Sequence, residues 1–163
     1  MTNQDGGKNR MAQTLTAPTV LSQELAAFLQ GPQLVLVTTL DADSKWPTNN
    51  LITWVFAKDE STIRLCADAK GRVINNVRAD DRVLLTVMTG GACHTIEGNA
   101  RVIKEELEGV SLKLACAAVK VRAVRDVTFW GGKITAEPQY DVTYDKALKE
   151  KLDSSVFAAM QSL

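Results

Sequence analysis

The chain has 163 residues, of which 45% are hydrophobic and 23% are charged. A chain of this length fits a single domain whose core is large enough to be stable without a disulfide or a metal ion. The 19 basic and 19 acidic residues cancel, which argues against a protein that binds nucleic acid or an anionic membrane through a broadly basic surface.

The cysteines and the single histidine do not indicate a metal centre. Cys66, Cys93 and Cys116 are far apart in the sequence and form no closely spaced pair, so neither a zinc site nor a redox motif is predicted. We interpret them as small buried thiols in a reducing compartment. Because no apolar run could cross a bilayer and the polar first residues do not form a secretion signal, we expect a soluble, cytoplasmic protein.

The first part of the chain predicts a tail, a helix and three strands. Residues 1–17 are polar and lack periodicity, so we interpret them as a disordered tail before a single domain over residues 18–163. Apolar residues at helical spacing predict a helix over residues 19–30, which Gly31-Pro32 ends. Strands are predicted over residues 34–40, 47–56 and 62–67, with polar turns between them.

The second part predicts a helix from about residue 70 to 77 and strands over residues 82–88, 93–103 and 119–130. Gly90-Gly91 indicates a hairpin turn, and Gly98 predicts a bulge or a close backbone approach. Residues 105–118 have helical spacing, and residues 145–160 predict an amphipathic helix. Six short strands joined mainly by tight turns predict a mainly β domain, an antiparallel barrel with flanking helices.

Two stretches suggest where a ligand binds. Gly71 stands between Lys70 and Arg72 where a strand ends and a helix begins, an arrangement that directs backbone N–H groups at an anion such as phosphate. The alternative is that both cations extend into water, where screening removes their repulsion from the helix end. In the strand over residues 47–56, both faces mix apolar side chains with amide or hydroxyl groups, so one face is expected to meet a partner or a ligand.

These segments together resemble the FMN-binding split barrels related to pyridoxamine 5′-phosphate oxidase. The resemblance covers residues 22–130 and rests on LVLVTTL at 34–40, the turn ending in Pro47, the strand that follows it, KGRVINNVRADDRV at 70–83 and TIEGNARV at 95–102. It implies a six-stranded antiparallel split β-barrel. It also implies a homodimer in which FMN lies between the two subunits.

The resemblance also implies a set of cofactor-binding residues. The family's second strand lies along the flavin ring and ribityl chain, the end of the third strand touches the cofactor, and a cation at the helix start grips the phosphate. Arg72 matches that cation. Val73 stands where some relatives have Lys or Thr, so one polar phosphate contact is missing, and Lys70 is expected to replace it from the preceding loop. The implied set is Asn50, Leu51, Ile52, Thr53, Trp54, Ala67, Lys70, Arg72 and Val73.

The activity that the resemblance implies is that of an FMN-dependent oxidoreductase acting on an unidentified small molecule. Residues 131–140 lack the arginine- and histidine-bearing motif of true pyridoxamine phosphate oxidases, which argues against vitamin B6 oxidation. Two alternatives are a non-enzymatic carrier of flavin or haem and a dimeric interaction module without cofactor. Trp130 is either a contribution to the partner's site or a core residue, and His94 is interpreted as structural.

Overall fold

The computed structural model describes residues 16–163, which contain seven strands and three helices. The helices are α1 (Gln23–Phe28), α2 (Arg72–Ala79) and α3 (Lys146–Ser162). The strands are β1 (Val35–Leu40), β2 (Pro47–Ile52), β3 (Val55–Asp59), β4 (Thr62–Asp68), β5 (Arg82–Thr89), β6 (Ala92–Lys104) and β7 (Leu114–Asp126). The predicted tail over residues 1–17 lies almost wholly outside the described residues.

The strands form one antiparallel sheet in the order β2-β1-β5-β6-β7-β4-β3. Only Thr53 and Trp54 separate β2 from β3, although these strands lie at opposite ends of that order. The sheet therefore curls back on itself without a ladder between β2 and β3, which gives the antiparallel split barrel that the sequence predicts. None of the helices in residues 16–163 is long and apolar enough to cross a membrane.

Two hydrophobic clusters hold the fold together. The inner core fills the barrel with alternate strand residues such as Val37, Leu65 and Leu85, and Ile74 of α2 packs against them. The outer cluster lies between the sheet and α3, and comprises Phe56, Cys66, Leu107, Leu114, Cys116, Val156, Phe157 and Met160. Helix α3 is thus attached to the barrel by burial of its apolar face.

The prediction of six strands is wrong by one, because the strand predicted over residues 47–56 is two strands. Ile52 and Val55 are both buried in the inner core. Residues three apart in a continuous strand face opposite sides of the sheet. The chain must therefore bend at Thr53 and Trp54, and β2 and β3 become opposite edges of the barrel.

The helix predicted over residues 105–118 is also wrong, since Leu114 to Ala118 form the start of β7. Leu114 and Cys116 belong to the outer cluster, whereas Ala115 and Ala117 belong to the inner core. Small residues suit a strand buried on both faces, but the same residues favour a helix when judged by propensity alone. The predicted last strand accordingly begins earlier and ends before Trp130.

The other three predicted helices are present, although their observed bounds differ from the predicted ones to different extents. Helix α1 is shorter than the predicted 19–30, because the Ser22 side chain accepts a hydrogen bond from Leu25 N–H at 3.2 Å and caps the helix there. The helix that begins beside Gly71 is confirmed as α2, with Gly71 at its N-cap. The C-terminal helix is confirmed as α3, where Asp145 is the N-cap.

Gly98 is the site of a β-bulge, as the sequence predicts. The pairing of β6 with β7 shifts register between Glu97 and Gly98. A Cβ atom on Gly98 would lie 2.3 Å from Val119 Cγ1 and 2.8 Å from Lys120 O. Only glycine allows the two strands to approach this closely.

We expect Gly98→Ala to lower the free energy of unfolding by about 1–3 kcal/mol, the usual cost of overpacking a core. The Lys120 carbonyl is backbone and cannot move aside as a flexible side chain would. Gly31→Ala is the matched control, since a Cβ there meets nothing within 4 Å. Urea denaturation of both variants checks this, and equal stability of the two would contradict it.

Candidate functional site

A pocket of about 290 Å³ lies where β2, the end of β4 and the start of α2 meet. It brings together eight of the nine residues that the sequence predicts as a cofactor site, and Lys70 is not among those that line it. The full lining is Asn50, Leu51, Ile52, Thr53, Trp54, Cys66, Ala67, Asp68, Gly71, Arg72 and Val73. Contact of these residues with a cofactor stays a prediction.

Sequence reasoning missed three lining residues, Cys66, Asp68 and Gly71. Cys66 and Asp68 flank the predicted Ala67 on β4, so the spacing of the family pattern pointed to their position without naming them. Gly71 was recognised as part of the cationic loop but not as pocket wall. A Cβ on Gly71 would lie 3.0 Å from Asp68 Cβ and 3.1 Å from Asp68 O, so a side chain there would crowd the turn.

The start of α2 presents backbone donors to this pocket. Gly71 has no side chain to cap the helix, and the first intrahelical hydrogen bond runs from Asn75 N–H to Gly71 O at 3.1 Å. The N–H groups of the first helical turn therefore have no acceptor within the helix. Together with the helix dipole, they give this end of the pocket a partial positive charge.

Two cations and one carboxylate surround the helix start. Arg72 is exposed and forms no ion pair within residues 16–163. The pKa of the Asp41 carboxyl is lowered, chiefly by hydrogen bonds from Ser44. The charge of Arg72 lowers it further without direct contact. Asp68 Oδ1 accepts the backbone N–H of Lys70 at 2.9 Å, so its carboxylate is engaged in the turn.

Asn50 brings an unsatisfied acceptor to the pocket. Its Oδ1 is buried and has no hydrogen-bond partner among the described residues. A buried polar atom without a partner costs about 1–3 kcal/mol and is uncommon in folded proteins. The protein alone therefore leaves this oxygen of a pocket residue without a donor.

Helix α3 contacts the pocket residue Trp54 through Asp153. The Trp54 indole Nε1–H donates to Asp153 Oδ1 at 2.8 Å, and Lys149 Nζ donates to Asp153 Oδ2 at 2.6 Å. The pKa of Lys149 is raised, chiefly by its hydrogen bond to Asp153. Asp153 therefore holds the indole of a pocket residue in one orientation.

We expect Asp153→Ala to lower the free energy of unfolding by about 1–3 kcal/mol, because the half-buried indole N–H of Trp54 loses its charged acceptor. The Trp54 Nε1–H resonance should shift in an NMR spectrum, with Trp54→Phe used to assign it. Ser154→Ala, at an exposed neighbouring position on α3, is the control. An unshifted resonance in Asp153→Ala would show that this contact does not hold the indole.

Trp130 and His94 lie outside the pocket. Trp130 follows β7 and is 85% exposed, so the alternative that it packs in the core is wrong. His94 is half-buried on β6, where its register partners are Val87 and Asp126. Neither residue lines the pocket of its own chain.

A larger groove of about 470 Å³ is lined by β1, β5, β6, β7 and the start of β2, and by none of the predicted cofactor-binding residues. Its two cations are already engaged, Arg82 with the Asp80 carboxylate and Arg122 with Asn99 Oδ1 at 3.1 Å. The smaller pocket instead combines free backbone donors, an unpaired cation and an unsatisfied acceptor. We therefore take the smaller pocket as the candidate site.

Comparison with known families agrees with this arrangement. The model of the pyridoxamine 5′-phosphate oxidase family matches residues 21–136. The chain belongs to this family. The match contains the whole sheet and α2 but not α3, so the family pattern includes the pocket lining and leaves out the helix that carries Asp153. A search of curated proteins gave no match.

Solved structures share the fold at low sequence identity. A candidate pyridoxamine 5′-phosphate oxidase of Lactobacillus delbrueckii is 17% identical with a TM-score of 0.56, covering 66% of this chain and 95% of its own. An F420 reductase is 14% identical with a TM-score of 0.54, covering 64% and 98%. The haem storage protein HutZ of Vibrio cholerae is 10% identical with a TM-score of 0.50, covering 65% and 94%.

Proposed function

We propose that the protein binds FMN in this pocket and acts as an FMN-dependent oxidoreductase on a small molecule. The observation that carries the proposal is that one pocket is lined both by a cationic, uncapped helix start and by Asn50, whose side-chain oxygen has no partner among the described residues. FMN has a phosphate suited to the first and a ring N–H suited to the second. Family membership supports the same ligand class.

The phosphate would be held at the start of α2. The backbone N–H groups of Arg72 and Val73 are at the right end of the helix to donate to it, and the Arg72 guanidinium would supply the charge. The Val73 side chain is 4% exposed, so this residue would contribute its backbone alone. Lys70 does not line the pocket, and we assign it a supporting charge on the preceding loop.

The flavin ring would lie against β2. Asn50 Oδ1 would accept the ring N–H, and Ile52 and Trp54 would cover apolar ring surface and exclude water. FMN, when bound, supplies hydride or single-electron transfer, so the chain itself needs no catalytic dyad. The residues of this pocket bind and orient the cofactor, and Asp153 keeps Trp54 in place.

We further propose a homodimer whose second subunit completes the site. At about 290 Å³ the pocket is at the lower limit of ligand sites, which usually enclose about 300–1,000 Å³. Leu51 lines this pocket and is 67% exposed, and Met88 on β5 is 38% exposed. A second copy of the chain would cover such apolar surface. Measuring the mass of the protein in solution tests this, since a dimer has twice the mass of the chain.

Haem is the main alternative ligand, and the pocket's donor atoms favour flavin over it. The usual protein ligands of haem iron are His, Cys, Met and Tyr. Of these, Cys66 alone lines the pocket. Its thiol is buried in the outer cluster, and the one histidine of the chain lies elsewhere.

The absorbance spectrum of protein purified without added ligand, followed by titration with FMN, tests the proposal. Flavin absorbance or saturable uptake of FMN would support it, and reduction of the bound flavin by a nicotinamide cofactor with turnover of an acceptor would separate an enzyme from a carrier. An intense Soret band would indicate a haem carrier. Uptake of neither ligand would contradict the proposal and favour the dimeric interaction module without cofactor.

A further inference from the structure

The two buried cysteines of the outer cluster face each other across neighbouring strands. Cys66 on β4 is the register partner of Cys116 on β7. Ala69 N–H donates to Lys113 O at 3.0 Å, and this pair lies three steps further along the same ladder. Because hydrogen-bonded and non-hydrogen-bonded pairs alternate in antiparallel strands, Cys66 and Cys116 form a non-hydrogen-bonded pair.

This position suits a disulfide. The Cα atoms of a non-hydrogen-bonded pair lie about 4.5 Å apart with their side chains on the same face of the sheet. That separation is within the roughly 4.4–6.8 Å range of disulfides. Both residues are free thiols here, so the site is a reduced dithiol that can close without large movement of the backbone.

A buried cation stands beside the pair. Arg64 lies two residues before Cys66 on the same face of β4 and is only 4% exposed. Its Nη1 donates to Met160 O at the end of α3, and its Nε has no partner. No carboxylate of the described residues pairs with this guanidinium.

A thiolate on the cysteine pair would give Arg64 the anion that it lacks. A buried charge is costly unless a counter-charge or several hydrogen bonds satisfy it. The hydrogen bond between the two thiols lowers the pKa of Cys116 and raises the pKa of Cys66, and Arg64 favours the thiolate on either sulfur. A thiolate on either cysteine is a nucleophile toward a small disulfide.

We propose that Cys66 and Cys116 form a reversible dithiol–disulfide site that low-molecular-weight disulfides oxidise. The thiolate of one cysteine attacks one sulfur of the small disulfide, forms a mixed disulfide and releases one small thiolate. The other cysteine then loses its proton and attacks the protein sulfur of the mixed disulfide, which releases the second small thiol. Two protein thiols are oxidised to one disulfide, and the small disulfide is reduced to two thiols.

Helix α3 controls access to this site. Cys66 is 1% exposed and Cys116 is 0% exposed, and the cover consists of Val156, Phe157 and Met160. Residues 127–145, which connect β7 to α3, contain no helix or strand. Helix α3 can therefore open locally without unfolding the barrel. Cys66 also lines the candidate pocket, which places the redox site next to the proposed cofactor.

The test counts thiols in folded protein after oxidation. Reduced wild-type protein is incubated with oxidised glutathione, quenched in acid, denatured and alkylated, and its mass is measured. We expect the three thiols of the chain to fall to one, with a single peptide pair joining Cys66 to Cys116, and a reductant should restore all three. Cys93→Ser is the matched control and should fall from two thiols to none.

Single replacements of the pair identify the partners. Cys66→Ala and Cys116→Ala should form no intramolecular disulfide, and their remaining buried cysteine should carry at most one glutathione. Wild-type protein that keeps all three thiols when folded, but loses them in urea, would overturn the proposal. A disulfide that includes Cys93 would overturn it equally. The outcome does not depend on whether FMN binds.

Discussion

Arg72→Ala should weaken FMN binding by about ten- to a hundredfold while leaving riboflavin binding unchanged. A hydrogen bond to a charged group contributes about 1.5–3 kcal/mol, which corresponds to that range. Riboflavin has the same ring and ribityl chain but no phosphate, so it cannot use the guanidinium at the start of α2. Titrations of both ligands, followed by quenching of flavin fluorescence, measure the two affinities.

Two further variants separate the charge of Arg72 from its shape. Arg72→Lys keeps the charge but loses the planar fork that binds two phosphate oxygens, so we expect an intermediate affinity for FMN. Arg101→Ala removes an exposed arginine of β6 that does not line the pocket and should bind as wild type does. The phosphate assignment would be wrong if Arg72→Ala weakened FMN and riboflavin equally, or neither.

Asn76→Ala should lower the free energy of unfolding by about 3–5 kcal/mol, since it removes three hydrogen bonds of a buried side chain and leaves Ala42 N–H without its acceptor. Asn76 is 1% exposed. Its Oδ1 accepts Ala42 N–H at 2.9 Å, and its Nδ2 donates to Thr39 Oγ1 at 2.9 Å and to Thr48 Oγ1 at 3.2 Å. This side chain ties α2 to β1, β2 and the turn between them.

Asn75→Ala is the matched control for that prediction. Asn75 is the preceding residue of α2, but it is exposed; its Nδ2 donates to Lys70 O at 3.1 Å and its Oδ1 accepts from Arg78 Nη1 at 3.0 Å. Asn75→Ala should lower the free energy of unfolding by much less than Asn76→Ala does, because water replaces both broken hydrogen bonds at this exposed position. Urea denaturation compares the two. If both variants were equally stable, the buried network could not be what holds α2 in position.

Most of the residues predicted as a cofactor site lie together in one pocket, whereas two of the predicted elements are wrong. The helix start beside Gly71 can be recognised from local sequence, because a glycine between two cations before an amphipathic run predicts where the helix begins. The order of β2, β4 and α2 also followed from the family pattern. These local and sequential features explain why eight of the nine predicted residues line the same pocket.

The errors arose where tertiary packing overrides local preference. The bend at Thr53 and Trp54 exists because the sheet must curl, and no turn residue marks it. Leu114 to Ala118 form a strand because both faces are buried, although their composition favours a helix. In each case the deciding contacts come from residues distant in the sequence.

The pairs that matter most for the proposals were also beyond sequence reasoning. Cys66 and Cys116 became register partners only through the pairing of β4 with β7. Asp153 reaches Trp54 from a helix that the family pattern does not include. An unsatisfied atom such as Asn50 Oδ1 can be identified only when all of its neighbours are known.

A crystal structure of the protein grown with FMN tests the central claim most directly. We expect the phosphate to lie against the backbone N–H groups at the start of α2 and the Arg72 guanidinium, with the ring along β2 and its N–H bonded to Asn50 Oδ1. Flavin bound in the larger groove, or FMN-saturated crystals in which the pocket of Asn50 and Arg72 holds no flavin, would contradict the account.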